Sequence, residues 1–306
     1  MRARTAIVCS VADQAVAALT NILVLVAAAR LSTVDGFARF CAVYLFFTVL
    51  LGVFGAYTGQ PLVLRRGEGA EVAGACRSAA VFTPLAAASV GAPLAAVCLL
   101  LPGDTAQALV MLGLVLPVVL GQDTLRYAFS TLQLPHFALF ADVLRLGCVL
   151  AALATQAHGA GAARLVLVWG LSALPALLLS AALLHRRTAG MPLRIRPLLR
   201  PGHLGRRFVV EFGVGNATSQ LSVLGLGAVG SPLVVGALRG ATTLFGPLNV
   251  LFTSATSFGP PLLGRLDGER RRVRATAALA AVLAATAGAW TTVLALLPGA
   301  AGRHLL

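Results

Sequence analysis

Charge is what this sequence has least of. Of its 306 residues 11% are charged, and only ten are acidic. A soluble domain carries roughly 25% charged residues, so this chain cannot furnish a water-facing surface, and a water-soluble globular fold is excluded. Disorder is excluded for the complementary reason, since 58% of the residues are hydrophobic and disordered chains are poor in them. Lysine is missing altogether: all 24 basic residues are arginine. We read that as the trace of a GC-rich genome rather than as chemistry. The five cysteines form no CxxC pair and have no histidine at ligand spacing, which argues against a metal site. There is no Walker A loop, no HExxH, no GxSxG and no carboxylate pair in a plausible extramembrane loop. The chain is therefore not expected to be an enzyme or to carry a cofactor.

What the sequence has in abundance is apolar runs near the ~20 residues that span a bilayer. Mean hydropathy is +0.89. The expected fold class is an all-α polytopic membrane protein with nine transmembrane helices. They run near Val11–Ala29, Phe37–Tyr57, Ala79–Leu101, Ala106–Gly121 and Phe137–Ala157, then Ala163–Leu184, Phe208–Gly230, Leu233–Pro260 and Ala275–Leu297. The fourth is short and the eighth long. Arg2, Arg4 and the first apolar run imitate a secretory leader, but Asp13, Gln14, Thr20 and Asn21 interrupt it, so it reads as the first span.

The net charge of +14 and a pI near 11.4 could suggest nucleic acid as partner. In so apolar a chain, arginine-rich cytoplasmic loops explain both better, and no nucleic acid partner is expected. With the N-terminus in the cytoplasm, eighteen arginines fall in inner segments and four in outer ones. That asymmetry supports both the orientation and the span count. The longest inner segment, HRRTAGMPLRIRPLLRPGHLGRR over His185–Arg207, interleaves arginine with proline, which forbids a long regular helix. It reads either as a topogenic linker or as an element that meets anionic lipid headgroups. The expected organisation is a six-helix lobe over 1–184, the basic linker 185–207, and a partial second lobe of three helices over 208–306.

A weak internal repeat underlies that division. Shifted by 200, Gly36, Arg39, Gly59, Pro61 and Arg65 fall on Gly236, Arg239, Gly259, Pro261 and Arg265. Shifted by 196, Pro102 and Gly103 fall on Pro298 and Gly299. Repeats of helical units mark secondary transporters, whose substrate lies between the halves. Six spans followed by three leave the second unit short, and we expect a C-terminal truncation or a fragmentary gene product.

Several segments carry a family resemblance: DQAVAALTNILVLVAAARLSTVDGFARF with GQPLVLRR, GQDTLRYAFSTLQLPHFALFADVLRLG, and EFGVGNATSQL with GALRGATTLFGPLNVLFTSATSFGPPLLGRL. They resemble the polysaccharide and oligosaccharidyl-lipid flippases of the MOP (MATE-like) transporter superfamily, over about residues 13–298. The resemblance implies two six-helix lobes around a cavity and movement of a lipid-linked saccharide of polyprenyl-phosphate type between leaflets. It also implies a multi-pass protein of a bacterial plasma membrane, working in polysaccharide biosynthesis. Other readings stay open: a small-molecule exporter of the same superfamily, a non-catalytic membrane subunit of a glycan assembly pathway, or an inactive truncated product.

Charged and polar groups inside a bilayer are costly and so nominate a site. Gln14 and Asn21, seven apart, share a face of the first span with Asp13 near one end. Arg39, Arg239 and Asn249 complete the cavity candidates; Arg239 has no acid three or four residues away and could hold a pyrophosphate through paired N–H donors. Asp142 with Arg145 and Asp123 with Arg126 are each three apart, the spacing of an intrahelical ion pair or of a gate whose partners change.

Overall fold

The computed structural model describes residues 3–65, 69–215 and 268–296, together with Leu248, Phe252 and Leu263. The chain divides into two compact units, Met1–Phe212 and Gly213–Leu306. The first takes in the basic segment 185–207, which the sequence sets apart as a linker. Its elements are all helical: α1 (Ala3–Leu31), α2 (Val34–Phe54), a π-helical turn (Gly55–Gly59), α3 (Gln60–Val63), α4 (Ala70–Leu99), α5 (Asp104–Thr131), α6 (Pro135–Ala154), α7 (Ala162–Leu171), α8 (Leu174–Thr188) and α9 (Arg196–Leu199). A helical stretch follows over 204–215. In the second unit the described helix is Glu269–Leu296.

Seven described stretches are long and apolar enough to cross a membrane, six of them in the first unit. The chain is an all-α polytopic membrane protein. Of the nine expected spans, the eighth lies outside the described residues apart from Leu248 and Phe252, and the seventh is described only to residue 215.

Three expected boundaries need correction. The fourth span is not short: α5 runs for 28 residues, Asp104–Thr131. Gln122, Asp123 and Arg126 end the apolar run in sequence, but the helix continues through them because Gln122 is buried against Asp142 and Arg145 of α6 while Asp123 and Arg126 pair with each other. The third span begins at Ala70 rather than Ala79, since Arg77 sends its guanidinium to the Met191 carbonyl at 2.9 Å. The sixth is broken at Ser172 and Ala173 into α7 and α8, although Ala162–Thr188 remains one apolar stretch.

α5 is the central helix, packed most extensively against α4, then against α7, α8 and α2. Small residues permit the α4–α5 approach. A Cβ on Gly91 would lie 2.3 Å from the Gly113 carbonyl oxygen, and one on Gly113 would lie 2.4 Å from that of Gly91. Such close backbone contact is how helices gain dispersion energy where lipid removes the hydrophobic drive. On the other side of α5, Trp169 meets Phe47 edge-on at 4.7 Å and Tyr44 at 5.4 Å, within a core that includes Leu112, Leu116 and Leu120.

The helix ends show why the chain turns where it does. Thr33 caps α2 by accepting from the Gly36 N–H at 3.2 Å. The N–H groups of Gly159 and Ala160 both donate to the Leu31 carbonyl, at 2.8 and 3.0 Å, closing the end of α1. The π-turn sits where Gly55 and Gly59 receive the Tyr127 ring of α5: a Cβ on Gly59 would be 2.8 Å from it. Pro61 follows, and its missing N–H withdraws one donor from the preceding turn.

Candidate functional site: a buried knot of charge

Seven polar side chains from α1, α5 and α6 converge inside the first unit. Arg126 lies at their centre. Its Nη2 donates to Asp13 Oδ2 of α1 at 2.9 Å, its Nη1 donates to Asp123 Oδ1 at 3.2 Å, and its Nε lies 2.9 Å from Asp142 Oδ2 of α6. A second arm runs through an amide: Arg145 Nη1 donates to Gln122 Oε1 at 2.5 Å, and Gln122 Nε2 donates to Asp142 Oδ1 at 2.7 Å. Gln14 adds an N–H to Asp13 Oδ2 at 3.3 Å.

The elements deliver these groups by helical arithmetic. On α5, Gln122 and Arg126 are one turn apart and share a face, with Asp123 at the flank. On α6, Asp142 and Arg145 are three apart and face α5. α1 packs against α6, which brings Asp13 to the knot. The Asp142 and Asp13 side chains are only 3% and 6% exposed. A buried pair gains stability only when every charge is compensated, and removal of one partner is strongly destabilising. Three carboxylates face two guanidinium groups, so the fully ionised knot carries one excess negative charge. Asp13 Oδ1 and Asp142 Oδ2 are also buried without a hydrogen-bond partner.

The knot borders a cavity of about 40 Å³ lined by Thr20, Asn21, Asp123, Arg126, Asp142 and Arg145 together with apolar side chains of α1, α2 and α5. A water needs roughly 10–15 Å³ of such space, so water or one small cation can be accommodated beside the carboxylates. Among the described residues no three metal-ligating side chains gather at ligand geometry.

The sequence candidates are thereby sorted. Asp123 and Arg126 form the expected i, i+3 pair. Asp142 and Arg145 do not pair directly: Arg126 reaches across from α5 to take Asp142, and Arg145 is linked to it through Gln122. Asn21 lines the cavity, while Gln14 sits beside Asp13. Arg39 is placed elsewhere, in an exposed ion pair with Asp104 between α2 and the start of α5. Arg239 and Asn249 lie outside the described residues. Gln122 escaped the sequence reading, and its signal was available: an amide one turn from Arg126 inside an apolar run.

No protein-family model matches this sequence, and no curated protein matches it. The structure is similar to a solved one described as a MATE in the bent conformation, with a TM-score of 0.60 and 14% identity. The match covers 95% of this chain and 71% of that one. At this identity the likeness establishes the architecture: the chain is a multi-pass membrane protein with a MATE-like fold.

Proposed function

We propose that the chain is a membrane transporter working by alternating access, and that it moves a lipid-linked saccharide from the inner to the outer leaflet of a bacterial plasma membrane. The observation that carries the transport reading is the knot on Arg126. A lobe that only had to be stable would do better with apolar packing at that place. Charges retained at such cost inside a bilayer belong by default to a pathway or a coupling device. Here they tie α1 to α5 and α6, and one carboxylate stands in excess. A proton or a monovalent cation entering the cavity neutralises that excess and weakens the grip of Arg126 on Asp13. An ion gradient can thus bias two arrangements of α1.

The cargo reading rests on the resemblance of the quoted segments to oligosaccharidyl-lipid flippases. Arg239 and Asn249 are its proposed contacts, with arginine holding the phosphates. The N-terminus is cytoplasmic in this reading, because that side then receives most of the arginines. A small-molecule exporter is the second reading, favoured by the likeness to a MATE.

The test is genetic. In cells lacking the gene, lipid-linked saccharide should accumulate on the cytoplasmic leaflet. Wild-type protein should clear it, and an Asp142→Asn variant present at equal abundance should not. An unchanged leaflet distribution in a strain without redundant transporters counts against the cargo. Export of cationic dyes by the same protein would move the reading to the second hypothesis.

A further inference from the structure

The arginine-rich segment 189–203 is not a loose tether. Pro192 lies against Gly74 of α4, whose Cβ position would be 3.0 Å from the Pro192 carbonyl oxygen. The Arg194 N–H donates to Ser78 Oγ at 2.9 Å. Tyr57, in the π-turn, donates its hydroxyl to the Leu198 carbonyl at 2.6 Å, and its ring lies 5.1 Å from that of His203. Gly205 rests on the Tyr57 carbonyl, where a Cβ would come within 2.1 Å. These five contacts fix the strap against α4 and the π-turn.

Between strap and helices lies a partly open cavity of about 210 Å³. Its polar lining is Thr58, Arg65, Glu71, Ser78, Arg194 and His203; its apolar lining includes Leu62, Ala75 and Leu198. Arg65 is paired with Glu71 at 2.8 Å, so the two arginines and one glutamate leave one net positive charge. His203 Nδ1 accepts from the Gly205 N–H at 3.2 Å. In the neutral ring that leaves Nε2 as a hydrogen-bond donor. Desolvation, with Arg206 and Arg65 nearby, pushes the imidazole below its usual value and favours the neutral form.

We propose that this cavity is a binding site for the phosphodiester headgroup of an anionic membrane lipid, formed jointly by the strap and the end of the first lobe. The charge matches: one net positive charge meets one phosphodiester negative charge. The donors match, since guanidinium groups recognise phosphate oxygens in a planar fork. The size matches a headgroup with its first carbons rather than a whole lipid, because sites for complete drug-sized ligands begin near 300 Å³. Arginine-rich segments beside membrane spans are drawn to anionic headgroups in general; the cavity between strap and helices turns that attraction into a site. The proposal stands apart from the transport reading, since a bound headgroup here pins the strap whatever the protein carries.

The purified full chain tests it, with lipid retention after delipidation measured for phosphatidylglycerol against phosphatidylcholine. Retention of phosphatidylglycerol should be roughly five-fold the greater. Arg65→Gln with Arg194→Gln should abolish the preference. Arg196→Gln with Arg200→Gln, which removes two exposed arginines outside the cavity lining, should leave it intact. Ala75→Leu, which fills the cavity and keeps both arginines, should also abolish it, so a loss cannot be put down to removed charge alone. Equal retention of the two lipids overturns the proposal. So does a preference lost equally on removing Arg196 and Arg200, which would be diffuse attraction. Displacement of phosphatidylglycerol by equimolar inorganic phosphate assigns the cavity to the free anion and overturns the lipid.

Discussion

Arg126 and Asp13 are 113 residues apart in the chain and 2.9 Å apart in the lobe. The contact closes α1 onto α5, and through Asp142 it holds α6 as well. Conversion of Arg126 to glutamine strands three carboxylates. The expected loss is about 3–5 kcal/mol, the range found when one partner of a buried ion pair is removed. Thermal unfolding in detergent measures it. Adding Asp13→Asn to Arg126→Gln should restore part of the loss, because the double variant leaves fewer uncompensated charges. Strict additivity of the two effects would show that the side chains are not coupled.

The α4–α5 crossing depends on two glycines. Valine at Gly113 places a branched side chain where the Gly91 carbonyl oxygen now lies. Overpacking of this kind costs about 1–3 kcal/mol. Unfolding measurements on Gly113→Val should show that loss, whereas the same substitution at Gly147, which has open space around it, should be mild by comparison.

The strap should release when its anchors are cut. Tyr57→Phe removes the hydroxyl that meets the Leu198 carbonyl and should weaken docking by about 0.5–1.5 kcal/mol. Gly205→Ala should act more strongly, because its methyl group collides with the Tyr57 carbonyl. Hydrogen exchange over residues 189–203 reads both effects. Unchanged protection in Gly205→Ala would contradict the docked arrangement.

Docking of the strap should also depend on pH. The ordinary histidine value is 6.5, and His203 is held below it by desolvation and by Arg206 and Arg65. Between 6.5 and that lowered value the docked strap binds fewer protons than the released one, so docking strengthens as pH rises. It weakens as pH falls below 6.5 and has lost the full contribution below the lowered value. Exchange protection of 189–203 should follow that course in the wild type and flatten in His203→Gln.

Orientation can be read by labelling single cysteines in a chain freed of its own. Gly103→Cys, in the turn between α4 and α5, should react with an impermeant maleimide applied from outside. Gly190→Cys, in the strap, should react only after permeabilisation. The reverse pattern would invert the topology inferred from arginine distribution.

Hydropathy made the membrane class and most span positions legible, because a bilayer admits so few backbone arrangements. It misjudged the end of α5, since Gln122, Asp123 and Arg126 look like the start of a loop until their partners are known. It foresaw the Asp123–Arg126 pair, which is local, and missed the ion pair of Arg126 with Asp142, which depends on the α5–α6 packing. Arg39 looked like a cavity residue by its repeat register, yet Asp104, remote in sequence, claims it at an exposed helix end. The prolines of segment 185–207 showed that no long helix forms there. Its docking was not legible, because Tyr57, Ser78 and Gly74 bear no sequence mark of their role as anchors.

The most direct measurement is translocation by the purified full chain in liposomes. A polyprenyl-pyrophosphate saccharide is placed in both leaflets, and its exposure to an external glycosidase is followed under an imposed ion gradient. Wild-type protein should render the inner-leaflet pool accessible with time, and the folded Asp142→Asn variant should leave it protected. If the wild-type chain, with its helicity and unfolding transition intact, leaves that pool as protected as protein-free liposomes do, the flippase account is contradicted.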